Sequence, residues 1–453
     1  MQQAKNYATG PDASSGANAP LTFQQEFALS YVGENFFGVC TARLSGRLDV
    51  EALERSVNEV LRRHQALRTQ IVLVDGALVQ CTAAFAPRSI EIVNLLKQPG
   101  DSNLEVESYI DHYVEEWKAR ADTTFEVRLL QTGAAEWVFV LVWDHAFTDH
   151  HSGVQFFREF WSIYQSEASG SELPAAAIAI QYPEYAFWQR SEYPRWASEH
   201  GAYWQQRLGD APPMRLPLSS TTGGPPRFAH QAVSFGRELS AALELAARRA
   251  GVSFPLLMLT ITSIAVSRWS GQQEFVIPYT FAGRYHPTHL QALGYFPTPL
   301  LIKADLGAAG TFAGMMRKLS GEFITAVGHL DIGKPLEGGV PDRLNGLLFQ
   351  WFPANPAPNE TMATTPDEWS PKKAGITVEP FDSEWRPSQG DAIPPRFIAH
   401  AAFWKSAVGI VGGCGYRADA FSQDAVHRFT SDLIRIAESI AADANAKIDS
   451  VRN

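Results

Sequence analysis

Trp137-Val138-Phe139-Val140-Leu141-Val142-Trp143-Asp144-His145-Ala146-Phe147-Thr148-Asp149-His150 decides how this chain folds. Its first seven residues are all apolar, and β-branched and aromatic types dominate. A run without polar alternation reads as a strand buried on both faces. Asp144 to Ser152 follows as a polar cluster, and Val154 to Tyr164 resumes helical spacing. The cluster therefore sits at the end of a central strand, just before a helix. Architectures that mix strands and helices place their chemistry there.

Working outward, Val50, Leu53, Val57, Val60 and Leu61 recur at three- and four-residue steps, with Asp49 placed to cap the first turn. Strands are expected at Gly38 to Leu44 and Gln70 to Val74 on either side of that helix. Downstream, Glu172 to Pro183 is a connector and Tyr185 to Leu208 is aromatic and helical. Pro212 to Pro226 is a loop where a lobe boundary is expected. A helix at Ser240 to Ala250 ends at Gly251, and Ser253 and Pro255 open the next. Phe275 to Thr280 and Leu344 to Phe352 read as strands. Pro353 to Pro395 reads as a long loop or insertion. The last helix carries Val426, Phe429, Leu433, Ile436 and Ile440 on one stripe. These signals predict an α/β protein with a tail at 1–20, an N-terminal lobe at 21–175, connecting helices at 176–226 and a C-terminal lobe at 227–453.

The bulk properties narrow the function. A chain of 453 residues exceeds one ordinary core and suggests two or three domains. The net charge of -10 argues against nucleic acid, which needs a basic stripe; Arg62-Arg63 and Arg248-Arg249 read as solvated helix faces. Cys40, Cys81 and Cys414 have unrelated spacings, fit neither zinc nor disulfide patterns, and favour a reducing cytoplasm. Met1 to Pro20 has no apolar core and reads as a disordered tail. Phe254 to Trp269 is too short for a membrane span and reads as a buried helix.

Asp144-His145-xxx-Asp149 resembles the His-His-xxx-Asp-Gly signature of condensation domains from nonribosomal peptide synthesis. Other landmarks of that family follow in its order: Leu21-Thr22-Phe23-Gln24-Gln25, Leu44 to Asp49, His64 to Thr69, Tyr182 to Gln189 with Tyr203-Trp204, Ser270-Gly271-Gln272 with Ala282-Gly283-Arg284, Gly294-Tyr295-Phe296, and Gly415-Tyr416-Arg417 to Phe421. The resemblance implies two chloramphenicol-acetyltransferase-like lobes in a V-shaped pseudo-dimer with a central tunnel. It implies an acyl donor held as a thioester on the phosphopantetheine arm of a carrier protein, and an amine or hydroxyl acceptor that is a small molecule or itself carrier-bound. No cofactor of the enzyme's own, no metal and no membrane are expected. Without adenylation or carrier domains in the sequence, a free-standing monomeric enzyme is expected.

By the same resemblance His145 is the catalytic residue, and a neutral imidazole suits the deprotonation of an acceptor nucleophile. Asp149 is expected to be structural and paired with an arginine, Arg284 or else Arg68. Asp144 stands where the family keeps its first His, a largely structural position. His150 replaces the family's Gly and either packs or contacts substrate. Ser152 and Trp351 complete the candidate tunnel residues, although Trp351 also fits simple packing. Asp144, Asp149 and Ser152 further match the Asp-xxxx-Asp-xx-Ser pattern of heterocyclisation domains, which lack a His at position 145. A silent relative that only recruits a partner is the third reading. A histidine after a strand is commonly just a satisfied core residue; the ordered landmarks favour function for His145. The adjacent His150 and His151, with no carboxylate at ligand spacing, make a poor metal site.

Overall fold

The computed structural model of the chain describes residues 18–32, 37–95, 102–120, 123–176, 178–209, 211–218, 227–307, 309–330, 346–352, 374–380, 397–406 and 408–450. In chain order the elements begin with β1 (Asn18–Pro20), α1 (Phe23–Val32), β2 (Phe37–Gly46), α2 (Val50–Arg63), β3 (Thr69–Val74), β4 (Ala77–Thr82) and β5 (Glu91–Asn94). There follow α3 (Ser102–Ala119), β6 (Phe125–Gly133), β7 (Glu136–Asp144), α4 (His150–Ser169), α5 (Tyr182–Gly209), β8 (Phe228–Phe235), α6 (Gly236–Ala250) and α7 (Phe254–Ser270). The remainder are β9 (Glu274–Phe281), β10 (Thr298–Asp305), α8 (Phe312–Val327), β11 (Leu347–Phe352), β12 (Ile376–Pro380), β13 (Ala399–Ser406), β14 (Gly409–Arg417) and α9 (Gln423–Ala442).

Two compact units share these elements. The first comprises Met1–Tyr193, Arg284–Phe296 and Asn355–Ser388; the second comprises Pro194–Gly283, Pro297–Ala354 and Gln389–Asn453. This corrects the expected split into contiguous lobes at 21–175 and 227–453. Ala292, Leu293 and Phe296, together with Ile376 and Val378, are buried in the same core as Tyr182, Tyr185 and Phe139, so distant segments complete the first unit.

The first unit is built on a sheet in the order β12-β2-β7-β6-β5, with β7 antiparallel to both neighbours. Along β7, Phe139, Leu141 and Trp143 enter the core shared with α2 and α4. The alternate residues Val138, Val140 and Val142 enter a second core with Val106, Ile110 and Tyr113 of α3. Both faces are covered, which is why Trp137 to Trp143 has no polar position. Asp49 caps α2 by accepting from Ala52 N at 2.9 Å. Arg63 is not the solvated residue expected: its buried guanidinium pairs with Glu59 at 2.6 Å and with Glu159 of α4 at 2.7 Å.

The expected loop at 353–395 contains β12, which pairs with β2 so that Val378 lies opposite Leu44. Gly46 is required there: its φ is +118°, and a Cβ would lie 2.4 Å from Gly375 O. The tail likewise ends early, since Asn18–Pro20 pair with β4. Residues 1–17, 353–373 and 381–396 lie outside the described residues.

The second unit carries the sheet β10-β9-β11-β13-β14-β8. Every residue of α7 from Leu256 to Ser267 is buried, as an all-round apolar helix requires. Thr260 and Thr262 satisfy their hydroxyls on the carbonyls of Leu256 and Met258 at 2.8 and 2.9 Å. Ser253 precedes α7 in extended conformation without a side-chain cap bond, contrary to the expected cap. No single helix among the described residues is long and apolar enough to cross a membrane.

Candidate active site

Two acidic caps in tandem shape the loop between β7 and α4. Asp144 Oδ1 accepts from Ala146 N at 2.8 Å and closes a short turn over His145–Phe147; Thr148 Oγ1 donates back to Asp144 O at 3.0 Å. Asp149 then caps α4, with Oδ1 accepting from Ser152 N at 2.7 Å. A strand that ends buried is thereby turned into a helix whose first turn has the Ser152 amide capped.

Within that turn His145 is held by its Nδ1, which donates to the Thr148 carbonyl. A carbonyl only accepts, so the proton resides on Nδ1 and Nε2 carries the lone pair. The edge of Tyr295 meets the ring at 5.5 Å and 87°. Burial pulls the imidazole below its ordinary pKa, and this outweighs the opposing Thr148 carbonyl and the Asp149 and Asp144 charges. At pH 7 His145 is a neutral base.

Asp149 meets Arg284 Nη2 at 2.8 Å, and both side chains are 3% exposed. Arg284 also donates through Nη1 to His289 O at 2.6 Å and Ala292 O at 2.7 Å, and its plane lies 4.1 Å from the Phe296 ring centroid. Ser152 Oγ accepts from Arg284 Nη2 at 2.9 Å and Gly294 N at 3.0 Å, leaving its proton for Asp149 Oδ1 or Gly294 O. Burial alone would raise the Asp149 carboxyl. The charge and hydrogen bonds of Arg284, with those of Ser152, prevail and hold it below the usual range.

Two expectations are corrected here. Arg68 does not pair with Asp149: it donates to Ala83 O, and Arg284 already supplies the opposite charge. Ser152 is no tunnel residue, because it is fully buried with its hydrogen-bonding capacity spent inside this lock.

Around the lock stands a layer whose role sequence reasoning missed, although its residues lie in the quoted landmarks. Gln25 Nε2 donates to Ala146 O at 3.0 Å, and Gln25 Oε1 accepts from Thr22 N at 3.0 Å. Tyr182 OH donates to Tyr295 O at 2.5 Å and meets Thr22 Oγ1 at 3.0 Å. A Cβ on Gly294 would lie 2.2 Å from the Tyr182 ring, so only glycine admits that tyrosine. Gln189 Oε1 accepts from Phe23 N at 2.9 Å. The landmarks at 21–25, 182–189 and 294–296 are therefore one clamp on the His145 loop.

His150 is the first residue of α4 and half-buried. Burial pulls it down to about 4 against the Asp149 charge, so it too is neutral at pH 7. His151 Nε2 bonds Leu290 O at 2.9 Å. Trp351 belongs to the second unit, where its ring packs on Phe254 of α7 at 5.3 Å. That is a packing position.

Residues 22–334 match the family described as Condensation domain. The chain belongs to the condensation-domain family. Among relatives of this condensation domain is chondramide synthase cmdD from Chondromyces crocatus, 26% identical over 417 residues, covering 90% of this chain and 10% of that protein. Malpinin synthetase from Mortierella alpina is 25% identical over 436 residues, covering 90% and 5%. The chain thus spans a tenth or less of the length of these two relatives. Three solved structures share the α/β fold. The condensation domain from Monacolin K polyketide synthase MokA has a TM-score of 0.76 at 14% identity, covering 96% of this chain and 100% of that one. SgcC5 from Streptomyces globisporus, in complex with (R)-(-)-1-(2-naphthyl)-1,2-ethanediol and sucrose, scores 0.74 at 22%, covering 94% and 100%. The X-domain in complex with OxyB from teicoplanin biosynthesis scores 0.74 at 21%, covering 100% and 98%. In the motif resemblance drawn from the sequence, His145 and Asp149 are the matching positions and Asp144 and His150 the departures.

Proposed function

We propose that the chain transfers an acyl group from the phosphopantetheine thioester of a carrier protein, docking in trans, to an amine or hydroxyl acceptor. The observation that carries this is the state of His145: neutral, with Nδ1 tied to Thr148 and Nε2 as the basic atom. In this reading Nε2 takes the proton of the acceptor N–H or O–H as that atom attacks the thioester carbonyl. Collapse of the tetrahedral adduct breaks the C–S bond, and the imidazolium returns the proton to the departing thiolate. A general base contributes about 10²–10⁴-fold, so orientation of the two reactants carries much of the remainder. Asp149 and Arg284 hold the loop without entering the reaction, and Asp144 shapes the turn that presents His145.

We favour the hydroxyl acceptor, and hence an ester, because SgcC5 is similar over its whole length and its structure holds a diol. The enzyme itself holds no cofactor in this reading and works as a cytoplasmic monomer. Its carrier, acyl chain and acceptor belong to a natural-product assembly line like those of the relatives.

A second reading, a silent recruiter, is favoured by the X-domain similarity and by the departures at Asp144 and His150. Heterocyclisation has less support: Asp149 and Ser152 are spent on each other and Arg284, and a histidine stands at 145. Intact-protein mass spectrometry of an acyl-loaded carrier mixed with amines and alcohols separates these. Expected is discharge onto an acceptor by the wild type and about 10²–10⁴-fold slower discharge by His145→Ala. Equal rates in the two would sink the role of His145; a further loss of water would indicate heterocyclisation, and no turnover at all a recruiter.

A further inference from the structure

One face of the second unit's sheet is packed and the other is half-exposed. On the packed face Phe349, Phe403 and Cys414 are fully buried, and Tyr279 meets Phe323 of α8 at 5.2 Å. Residues paired across a sheet share a face, so the register of β11, β13, β14 and β8 sets out the opposite face in three rows. These are Leu348-His400-Gly415-His230, Gln350-Ala402-Gly413-Ala232 and Phe352-Trp404-Val411-Ser234. The middle row is a floor of small side chains between taller ones. Its flanking rows stand about 13 Å apart, four residues along a strand. Gly413 is required in that floor, because a Cβ there would lie 2.6 Å from His230 Nε2.

The polar groups on this face are oriented. His400 Nε2 lies 2.5 Å from Gln350 Oε1, which only accepts. The proton is therefore on Nε2, and Nδ1 presents a lone pair. Burial, reinforced by His230, pulls His400 down to about 4 and keeps it neutral. Trp404 Nε1 is a buried donor without a hydrogen-bond partner among the described residues. None of the twelve positions carries Asp, Glu, Lys or Arg. A charged ligand would lose water here without gaining a counter-charge.

We propose that this face binds an uncharged hydroxyl-bearing molecule, its apolar body over Ala402 and against the Phe352-Trp404 row on one side, with a hydroxyl donating to His400 Nδ1 on the other. Gln350 sets the tautomer that makes Nδ1 an acceptor, which makes His400 and Gln350 the specificity-determining pair.

The test titrates the full chain with 1-(2-naphthyl)-1,2-ethanediol by calorimetry, and with its charged counterpart 2-hydroxy-2-(2-naphthyl)acetate. The diol is expected to bind, the hydroxy acid about tenfold or more weaker, and His400→Ala and Gln350→Ala each about tenfold weaker for the diol, the size of one hydrogen bond. Ala402→Phe fills the floor at a half-exposed position and should abolish binding while circular dichroism stays unchanged. No binding of the diol by the wild type, equal binding of the hydroxy acid, or undiminished binding in Ala402→Phe overturns the proposal. If the diol binds as described but no acyl group is transferred to any acceptor, the binding site stands and the acyl-transfer reading falls.

Discussion

At the scale of single residues, the Asp149–Arg284 pair and the His145 ring make separable predictions. Arg284→Met leaves a carboxylate buried without its counter-charge and should destabilise the protein by about 3–5 kcal/mol in urea titrations. The double change Asp149→Asn with Arg284→Met should cost less than the single one, because no charge is then stranded; a single variant as stable as wild type would refute the lock. The pair also sets an acid limit. Asp149 titrates lower in the folded state than in the unfolded one, near 3.9, so its contribution is complete above that value and is lost as pH falls through the folded pKa. His150 and His289, both pulled down to about 4, add a loss at higher pH. The unfolded chain takes up their protons first, so stability declines as pH drops from about 6.5 towards 4. For catalysis, kcat/KM should stay level from pH 8 down past about 6.5 and break only below it, since His145 remains a neutral base there. A break at or above that value would contradict the buried setting of the ring. Arg63 shows where residue-level reading fails: beside Arg62 it looks solvated, and only the tertiary fold brings Glu159 to it.

Among the elements, those with strong local periodicity were legible from sequence. The run Trp137 to Trp143 announces a strand covered on both sides, and α2 and α9 announce their buried stripes. β12 was not legible, because five residues in a proline-rich stretch carry little pattern and owe their state to pairing with β2. Trp351 had two readings, tunnel or packing, and the pleat separates them. Adjacent strand residues point to opposite faces, so the same strand sends Trp351 to α7 and Gln350 to the open side. His145, Asp149 and Arg284 could be picked out by resemblance. Ser152, Gln25 and Tyr182 could not be given their roles, because those depend on contacts made across more than a hundred residues. Glycines test the clamp at this scale. Gly294→Ala must displace Tyr182 and should cost about 1–3 kcal/mol by overpacking. Gly153→Ala meets Trp143 at an ordinary 3.5 Å and should be tolerated. Equal urea midpoints for the two variants would show that Tyr182 moves aside freely.

For the molecule as a whole, the first unit is discontinuous in sequence. A fragment ending at the Tyr193–Pro194 division lacks Arg284, Phe296, Ile376 and Val378, all of which complete its core and its lock. Residues 18–193 alone should show no cooperative urea transition, whereas the full chain should. Cooperative unfolding of the fragment would mean that those segments are ornamental. The same discontinuity sets a timetable during synthesis. Asp149 leaves the ribosome 135 residues ahead of Arg284, which at about 5–20 residues per second is a wait of roughly seven to twenty-seven seconds. Through that interval the nascent first unit holds an aspartate without its arginine, so its closure must trail translation, and β12 is the last strand to arrive.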